Sequence, residues 1–290
     1  MKSSALALAV IVAWLDGCGS SAGGGVGGSA SSSESGSSSS GFSSGTDSSS
    51  SGGASGSSAD GGSGGVEASS GGGGVPMEAC TNPTFTTSSE TGGMTFGAYY
   101  VYNNMWNTSA KLGPQTLSAC SYDSWYVVSS QTDQQGAVLT YPNVQENFSQ
   151  TIASFNALTS TFAEASPHVG IYEDAYDIWF NGFGAGHTEL MIWVDNEKQV
   201  PAGDKVATTT LDGRAYDVWK TSDSSYIAFV ATATFTSGSI DLLQIFNYMV
   251  TEGWVASSAM LSQIDFGVEI VDTAGGNGIY QFMDFSITAK

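Results

Sequence analysis

The sequence predicts an all-β fold: an antiparallel β-sandwich of jelly-roll type, with a concave substrate cleft and one short helix. Three observations predict it. Short runs rich in β-branched and aromatic residues recur between Gly, Asn, Asp or Ser, as strands between turns do. Several runs alternate apolar and polar side chains, the pattern of a strand with one buried face. A single stretch, 239–253, places apolar residues at helical spacing. One helix among many alternating strands leaves sheet-on-sheet packing as the architecture.

Taken in order, residues 1–18 read MKSSALALAVIVAWLDGC. Lys2 precedes an apolar run from Ala5 to Leu15, too short to span a bilayer and suited to a signal peptide. The run ends in Leu15-Asp16-Gly17-Cys18, which resembles a bacterial lipobox with Cys18 as the lipidated residue. Plain secretion is the alternative. Residues 19–75 are almost entirely Ser, Gly and Ala, with Phe42 as the sole aromatic. Such a segment buries too little apolar surface to offset its chain entropy, so it reads as a flexible linker. Its GSSAG at 19–23 matches a hydrolase elbow pattern through composition alone.

The folded domain is therefore expected over 76–290. The whole chain carries a formal charge of −20; five of its 27 acids precede position 76, leaving 22 against six basic residues. Such a domain repels nucleic acid and anionic membranes, so contact with a membrane is expected only through a lipid anchor, and the ligand should be neutral or a cation. With Cys18 assigned to lipid, Cys80 and Cys120 remain as a disulfide pair in an exported protein. Two His residues, 168 and 187, without HExxH or CxxC spacing, argue against a metal site. No Asp-x-Asp-x-Asp-Gly loop is present either. No cofactor is expected.

Strands are expected over 97–102, 124–130, 137–141, 175–180, 189–194, 215–220, 226–233, 261–270 and 279–289. In the helix over 239–253, Ser239 is the expected cap and Gly253 the expected stop. Glu173 and Asp174 read as turn caps before a strand, and Asp195, Glu197 and Asp204 as solvated loop acids.

Three strands share one design. In HTELMIW (187–193), Thr188, Leu190, Ile192 and Val194 form an apolar face, while His187, Glu189, Met191 and Trp193 take the other. A buried, unpaired carboxylate is expensive, so that second face reads as a wetted groove. In AYDIWFN (175–181), Asp177 lies with Trp179, opposite Tyr176, Ile178 and Phe180. In QIDFGVEIV (263–271), Glu269 lies with Gln263, Asp265 and Gly267, opposite Ile264, Phe266, Val268 and Ile270. If these strands pair, three carboxylates converge on one surface. Two converging carboxyls suit glycosidic bond cleavage, one as proton donor and one as nucleophile or base. A third can share a proton and shift the pair's titration. His187, two positions from Glu189, is a candidate to tune it or a polar wall residue.

AYDIW (175–179), ELMIW (189–193) and FGVE (266–269), in that order, resemble glycoside hydrolase family 12. YNNMW (102–106), TYPNV (140–144), GSIDLLQIFNYMVTEGW (238–254) and FMDFSITAK (282–290) extend the resemblance over about residues 80–290. It implies a jelly roll and a retaining endo-β-1,4-glucanase or xyloglucanase. Carried over position by position, Glu189 is the nucleophile, Glu269 the general acid/base and Asp177 the residue bonded to the nucleophile. Trp106 is a sugar-stacking platform beside Asn104, and Met191, Trp193 and Trp179 contribute to the cleft. An early disulfide matches Cys80 and Cys120. Retention implies carboxyls about 5–5.5 Å apart, with Glu189 ionised and Glu269 protonated at rest. The sequence departs from the family pattern in a short span between Asp177 and Glu189, in Asn107 for a glycine, in Trp125 standing alone in a usually Trp-rich region, and in Val268-Glu269-Ile270 for Thr-Glu-Pro. These departures bear on subsites and substrate preference. The partner is then a β-glucan polysaccharide met by a monomer at the cell surface. A non-catalytic carbohydrate-binding jelly roll and a structural lipoprotein are the alternatives from other classes.

Overall fold

The computed structural model describes residues 80–290; the expected signal peptide with Cys18 and the expected linker lie outside the described residues. Two sheets face each other. The smaller runs β1 (Phe85–Thr87), β4 (Gln115–Ser121), β5 (Ser124–Ser129), β15 (Gly278–Ala289), β7 (Leu158–Ala165), β13 (Ser237–Asp241). The larger begins β10 (Asp204–Leu211), β11 (Arg214–Lys220), β12 (Tyr226–Ala231), β9 (Thr188–Glu197). It continues β8 (Ile171–Phe180), β14 (Met260–Asp272), β6 (Asn143–Thr151), β3 (Tyr99–Tyr102), β2 (Gly93–Phe96). Neighbouring strands pair antiparallel, with one correction to the expected pattern: β12 lies parallel to β9. The chain leaves β9 for the sheet edge and returns through β10, β11 and β12, ending beside β9 in the same direction.

The apolar faces expected from alternation are the ones that meet. Tyr176, Ile178 and Phe180 of β8, Leu190, Ile192 and Val194 of β9, and Ile264, Phe266 and Val268 of β14 form one side of the core. Leu117, Trp125, Phe162, Phe282 and Phe285 form the other. Phe266 joins the two, with ring centroids 5.1 Å from Phe162 and 5.4 Å from Phe282, both edge-on. Offset and edge-on rings suit the aromatic quadrupole. The Cys80–Cys120 disulfide is present, Cα atoms 5.3 Å apart, and ties the start of the domain to β4.

Some elements differ from expectation. The span 137–141 is not a strand; Thr140 makes only an isolated bridge to Ile270. Strands β4, β6, β7 and β10 went unread because their patterns are polar: in β7 the inward positions are Leu158, Ser160, Phe162 and Glu164. The helix α1 spans Leu242–Thr251, and Asp241 rather than Ser239 caps it, accepting from Gln244 N at 3.0 Å. Ser239 belongs to β13. Its buried residues, Leu242, Ile245, Phe246 and Met249, recur every three or four positions, one face of a helix. Gly253 (φ +72°) follows the helix in the left-handed region, as expected of a stop.

Candidate active site

Cross-strand partners share a face, so register lays out the outer face of the larger sheet. One row runs Tyr100, Gln145, Asp265, Asp177, Met191, Ala228, Trp219. The row beside it holds Gln263, Trp179, Glu189 and Tyr226. Farther along, Glu269 sits opposite Glu173. Glu189 and Glu269 thus lie opposite Trp179 and Glu173, about 20 Å apart along β8 on a flat sheet. Yet the charge of Glu269 acts on Glu189. The face must curve inward there, drawing long side chains from separate rows together.

Small residues on β8 and β14 make room within this concavity. Tyr141 is buried and donates its hydroxyl to Ala175 O at 3.1 Å. Gly267 allows the chain at Pro142 to pass: a Cβ there would stand 2.1 Å from Pro142 O. From the exposed Asn147 an amide ladder runs inward through Gln263 and Gln145 to the buried Asn143. Gln263 Nε2 donates to Asn147 Oδ1 at 2.9 Å, Gln145 Nε2 to Asn143 Oδ1 at 3.0 Å, and Asn143 Nδ2 to Tyr141 O at 2.9 Å. Beside it on β3, the part-exposed rings of Tyr100 and Tyr102 lie 5.5 Å apart.

Five acids share the face, and none belongs to an ion pair among the described residues. Burial disfavours their charged forms, and their mutual repulsion adds to it. Burial, then the charge of Glu269, pushes Glu189 up to about 8. Asp177 is held well above the usual carboxylate range by burial, then by Glu189, Asp265 and Glu269. Asp265 is raised by burial. Glu269 is raised by burial, but a hydrogen bond with Glu173 pulls it back down. Glu173 is driven well up by burial and by Glu269, so it keeps the proton and donates it. The site is a store of shared protons. Glu189 and Glu269 are both raised and titrate as a pair, so the resting proton belongs to the pair.

The structure brings Glu189, Glu269 and Asp177 together. Glu189 and Glu269 are part-exposed and Asp177 is buried. Trp179 and Trp106 are part-exposed, Trp179 lying 5.3 Å from the His187 ring and 5.2 Å from Phe183. His187 Nδ1 bonds Gly184 O. Three expected sugar contacts are corrected by their burial. Met191 (1% exposed) and Trp193 (2%) are covered: Trp193 Nε1 donates to Met191 Sδ, and so does the Tyr226 hydroxyl. They form a packed support beneath the carboxyls and offer no face for stacking. Asn104 is buried too, at positive φ (+37°), and its backbone O accepts from Tyr141 N. It shapes the turn that seats Tyr141.

Glu173 and Asp174 are not turn caps; both are fully buried within β8. Asp195 is not a solvated loop acid; it lies in β9 and is buried. Glu197 ends β9 and Asp204 starts β10, where Asp204 is exposed as expected. The sequence reading missed Tyr141, Tyr226 and Glu173 as site residues. Period-two alternation from Asp177 back to Glu173 held the signal for the last. Tyr226 depends on the parallel β9–β12 pairing, which no local pattern announces.

Comparisons with known proteins bear on the family and the fold. A family model described as glycosyl hydrolase family 12 matches residues 97–290. The chain is similar to Endoglucanase S of Pectobacterium parmentieri, 26% identical over 247 residues, covering 74% of this chain and 91% of that protein. It is also similar to a xyloglucan-specific endo-beta-1,4-glucanase A of Emericella nidulans, 28% identical over 190 residues, 60% of this chain and 80% of the relative. Among solved structures, the xyloglucanase domain of the Sinorhizobium fredii effector NopAA, in complex with cellobiose, superposes with a TM-score of 0.62 at 23% identity. That match covers 72% of this chain and 100% of the domain, and speaks to the fold.

Proposed function

The chain belongs to glycosyl hydrolase family 12, and from that premise we propose that it cleaves β-1,4-glucan chains internally with retention of configuration. The observation that carries this reading is the convergence of Glu189, Glu269 and Asp177, from three adjacent strands, on one concave face. Glu269 protonates the leaving oxygen while Glu189 attacks the anomeric carbon; Glu269 then takes a proton from the incoming water. Asp177, kept neutral by burial and its charged neighbours, donates to Glu189 as that carboxyl ionises. Glu173 steadies the anionic form of Glu269 between the two steps. The part-exposed Gln145 and exposed Asn147, held by the amide ladder, suit the hydroxyl rim of a glucan. Tyr100, Tyr102 and Trp106 suit its apolar C–H faces.

The relative specific for xyloglucan supports a second reading, in which branched glucan is the preferred substrate. The short β8–β9 connection, residues 181–187, fits it by leaving that rim low. An exported enzyme fits a polymer too large to import, and the disulfide fits an oxidising compartment. Lipidation at Cys18, a tether over 19–75 and a monomeric state complete the proposal.

Reducing-sugar release by the purified protein from carboxymethylcellulose, barley β-glucan, xyloglucan and xylan tests it, with Glu189→Gln alongside. Release from the β-1,4-glucans, lost in the variant, is expected. Release from xyloglucan alone would favour the second reading. Glucan binding without release from any substrate would make the domain a carbohydrate-binding module.

A further inference from the structure

A second group of acids lies on the opposite side of the larger sheet, between the two layers. Glu164 comes from β7 of the smaller sheet, Asp174 from β8 and Asp195 from β9. Asp174 and Asp195 are cross-strand partners, and a bulge after Asp174 shifts the register there, so that Ala175 faces Trp193. The shift turns Asp195 to the same side as Asp174, toward Glu164. One oxygen from each of the three lies within 4.8 Å of the others. All are buried, at 3%, 0% and 3% exposure.

Their polar environment is unfinished. Neither oxygen of Glu164 and neither of Asp174 has a well-formed hydrogen-bond partner, and neither does the buried Ser166 Oγ beside them. Asp195 alone is held, accepting from the Tyr172 hydroxyl at 2.9 Å and Thr234 Oγ1 at 2.9 Å. The nearest cationic candidate is His168, 3.4 Å from Asp195 with its side chain 59% exposed. No Lys or Arg ion pair among the described residues reaches the group. Buried polar atoms without partners cost free energy, and buried carboxylates need a counter-charge or a proton.

We propose that Glu164, Asp174 and Asp195 form a calcium site that fastens the two sheets together, separate from the cleft. The donors are hard oxygens with no His or Cys, the set that Ca²⁺ takes at about 2.3–2.6 Å. Ligands of such an ion stand about 3.3–3.7 Å apart at right angles and at most about 5.2 Å apart across it, so three oxygens within 4.8 Å of one another are close enough to share one ion. Ser166 Oγ and the second carboxylate oxygens supply further ligands. Magnesium, held at about 2.0–2.1 Å in a near-ideal octahedron, fits the three-carboxylate cage less well.

The test uses the purified full-length protein. Elemental analysis before and after EGTA, a calorimetric CaCl₂ titration, and thermal unfolding with and without Ca²⁺ are compared. One Ca²⁺ per chain is expected, removed by EGTA. At a hundredfold excess over Kd, Ca²⁺ should restore Tm by about 5–10 °C, with a smaller rise in Mg²⁺. The Glu164→Gln/Asp174→Asn double variant should lose the ion and the Tm response, and Asp174→Asn alone should weaken binding at least about tenfold. Glu189→Gln should keep both. No retained calcium and no Tm response in the wild-type protein would overturn the proposal and leave three acids sharing protons. Binding that survives in the double variant would overturn it as well, by putting the ion elsewhere.

Discussion

Glu189 shows how one residue's environment decides both its chemistry and its cost. Its carboxyl is pushed up to about 8 by burial and by Glu269. In a coupled pair the protons leave in two steps that belong to the pair, and only the singly protonated form supports cleavage. The value of about 8 to which Glu189 is raised marks the loss of the pair's last proton. The alkaline limb of kcat/KM is therefore expected near pH 8, read from initial rates on a soluble glucan. Glu173 offers a sharper test at the same scale. It donates to Glu269 and favours that carboxyl's anion. Glu173→Leu removes the donor, so the first proton is lost at higher pH and the acid limb moves up. A purely structural role for Glu173 would lower the rate without moving the limb. Glu189→Gln should reduce kcat by at least about a thousandfold while the far-UV spectrum is unchanged. At this scale the sequence was legible wherever alternation alone set the answer, as for Asp177, Glu189 and Glu269. It was misleading for Met191 and Trp193, whose face was read correctly but whose cover, Tyr226, comes from a strand 35 residues on.

At the scale of elements, local signals and long-range ones separate cleanly. The strands bearing aromatics and β-branched residues were readable because their inner faces are uniformly apolar. β7 was not, because it turns Ser160 and Glu164 inward. Ser160 finds the Tyr176 hydroxyl at 2.9 Å across the sandwich, and Glu164 meets the other acids. The bulge that turns Asp195 inward is likewise invisible to a period-two count, which is why Asp195 reads as a solvated loop acid. The helix signal was strong and its cap was off by two positions. Asp241→Ala should cost about 1 kcal/mol in a denaturant melt, since it strips the acceptor for Gln244 N. Phe266→Ala should cost more, about 3–5 kcal/mol, because that ring packs against Phe162, Tyr176, Phe282 and Phe285 from both sheets. The two losses measured together should add, as the sites share no partner.

At the scale of the whole molecule, the sandwich carries buried acids on both sides of its larger sheet, and this fixes how stability must change with pH. Glu189 is raised to about 8 and Glu164 to about 10; Asp174, Asp177, Glu173 and Asp265 are held well above the usual carboxylate range, and Glu269 moves in the same direction. In the unfolded chain such groups release their protons near pH 4–4.5. A folded-state value above the unfolded one means that the folded protein holds protons the unfolded protein has lost. The stabilisation is complete below about pH 4.5 and is lost as pH rises through 8 and then 10. Each proton so held contributes a slope of about −1.4 kcal/mol per pH unit to the unfolding free energy. Thermal unfolding in EGTA should therefore show Tm falling steadily from pH 5 to pH 9. Glu189→Gln should flatten the curve and raise Tm at pH 9, since its amide needs no proton to stay neutral. Calcium separates the two sides of the sheet. An ion bound by ionised Glu164 and Asp174 removes their proton uptake on folding, so saturating Ca²⁺ should shrink the slope and leave the share that belongs to the cleft. Equal slopes with and without Ca²⁺, or a Tm that rises with pH in EGTA, would contradict this distribution of charge.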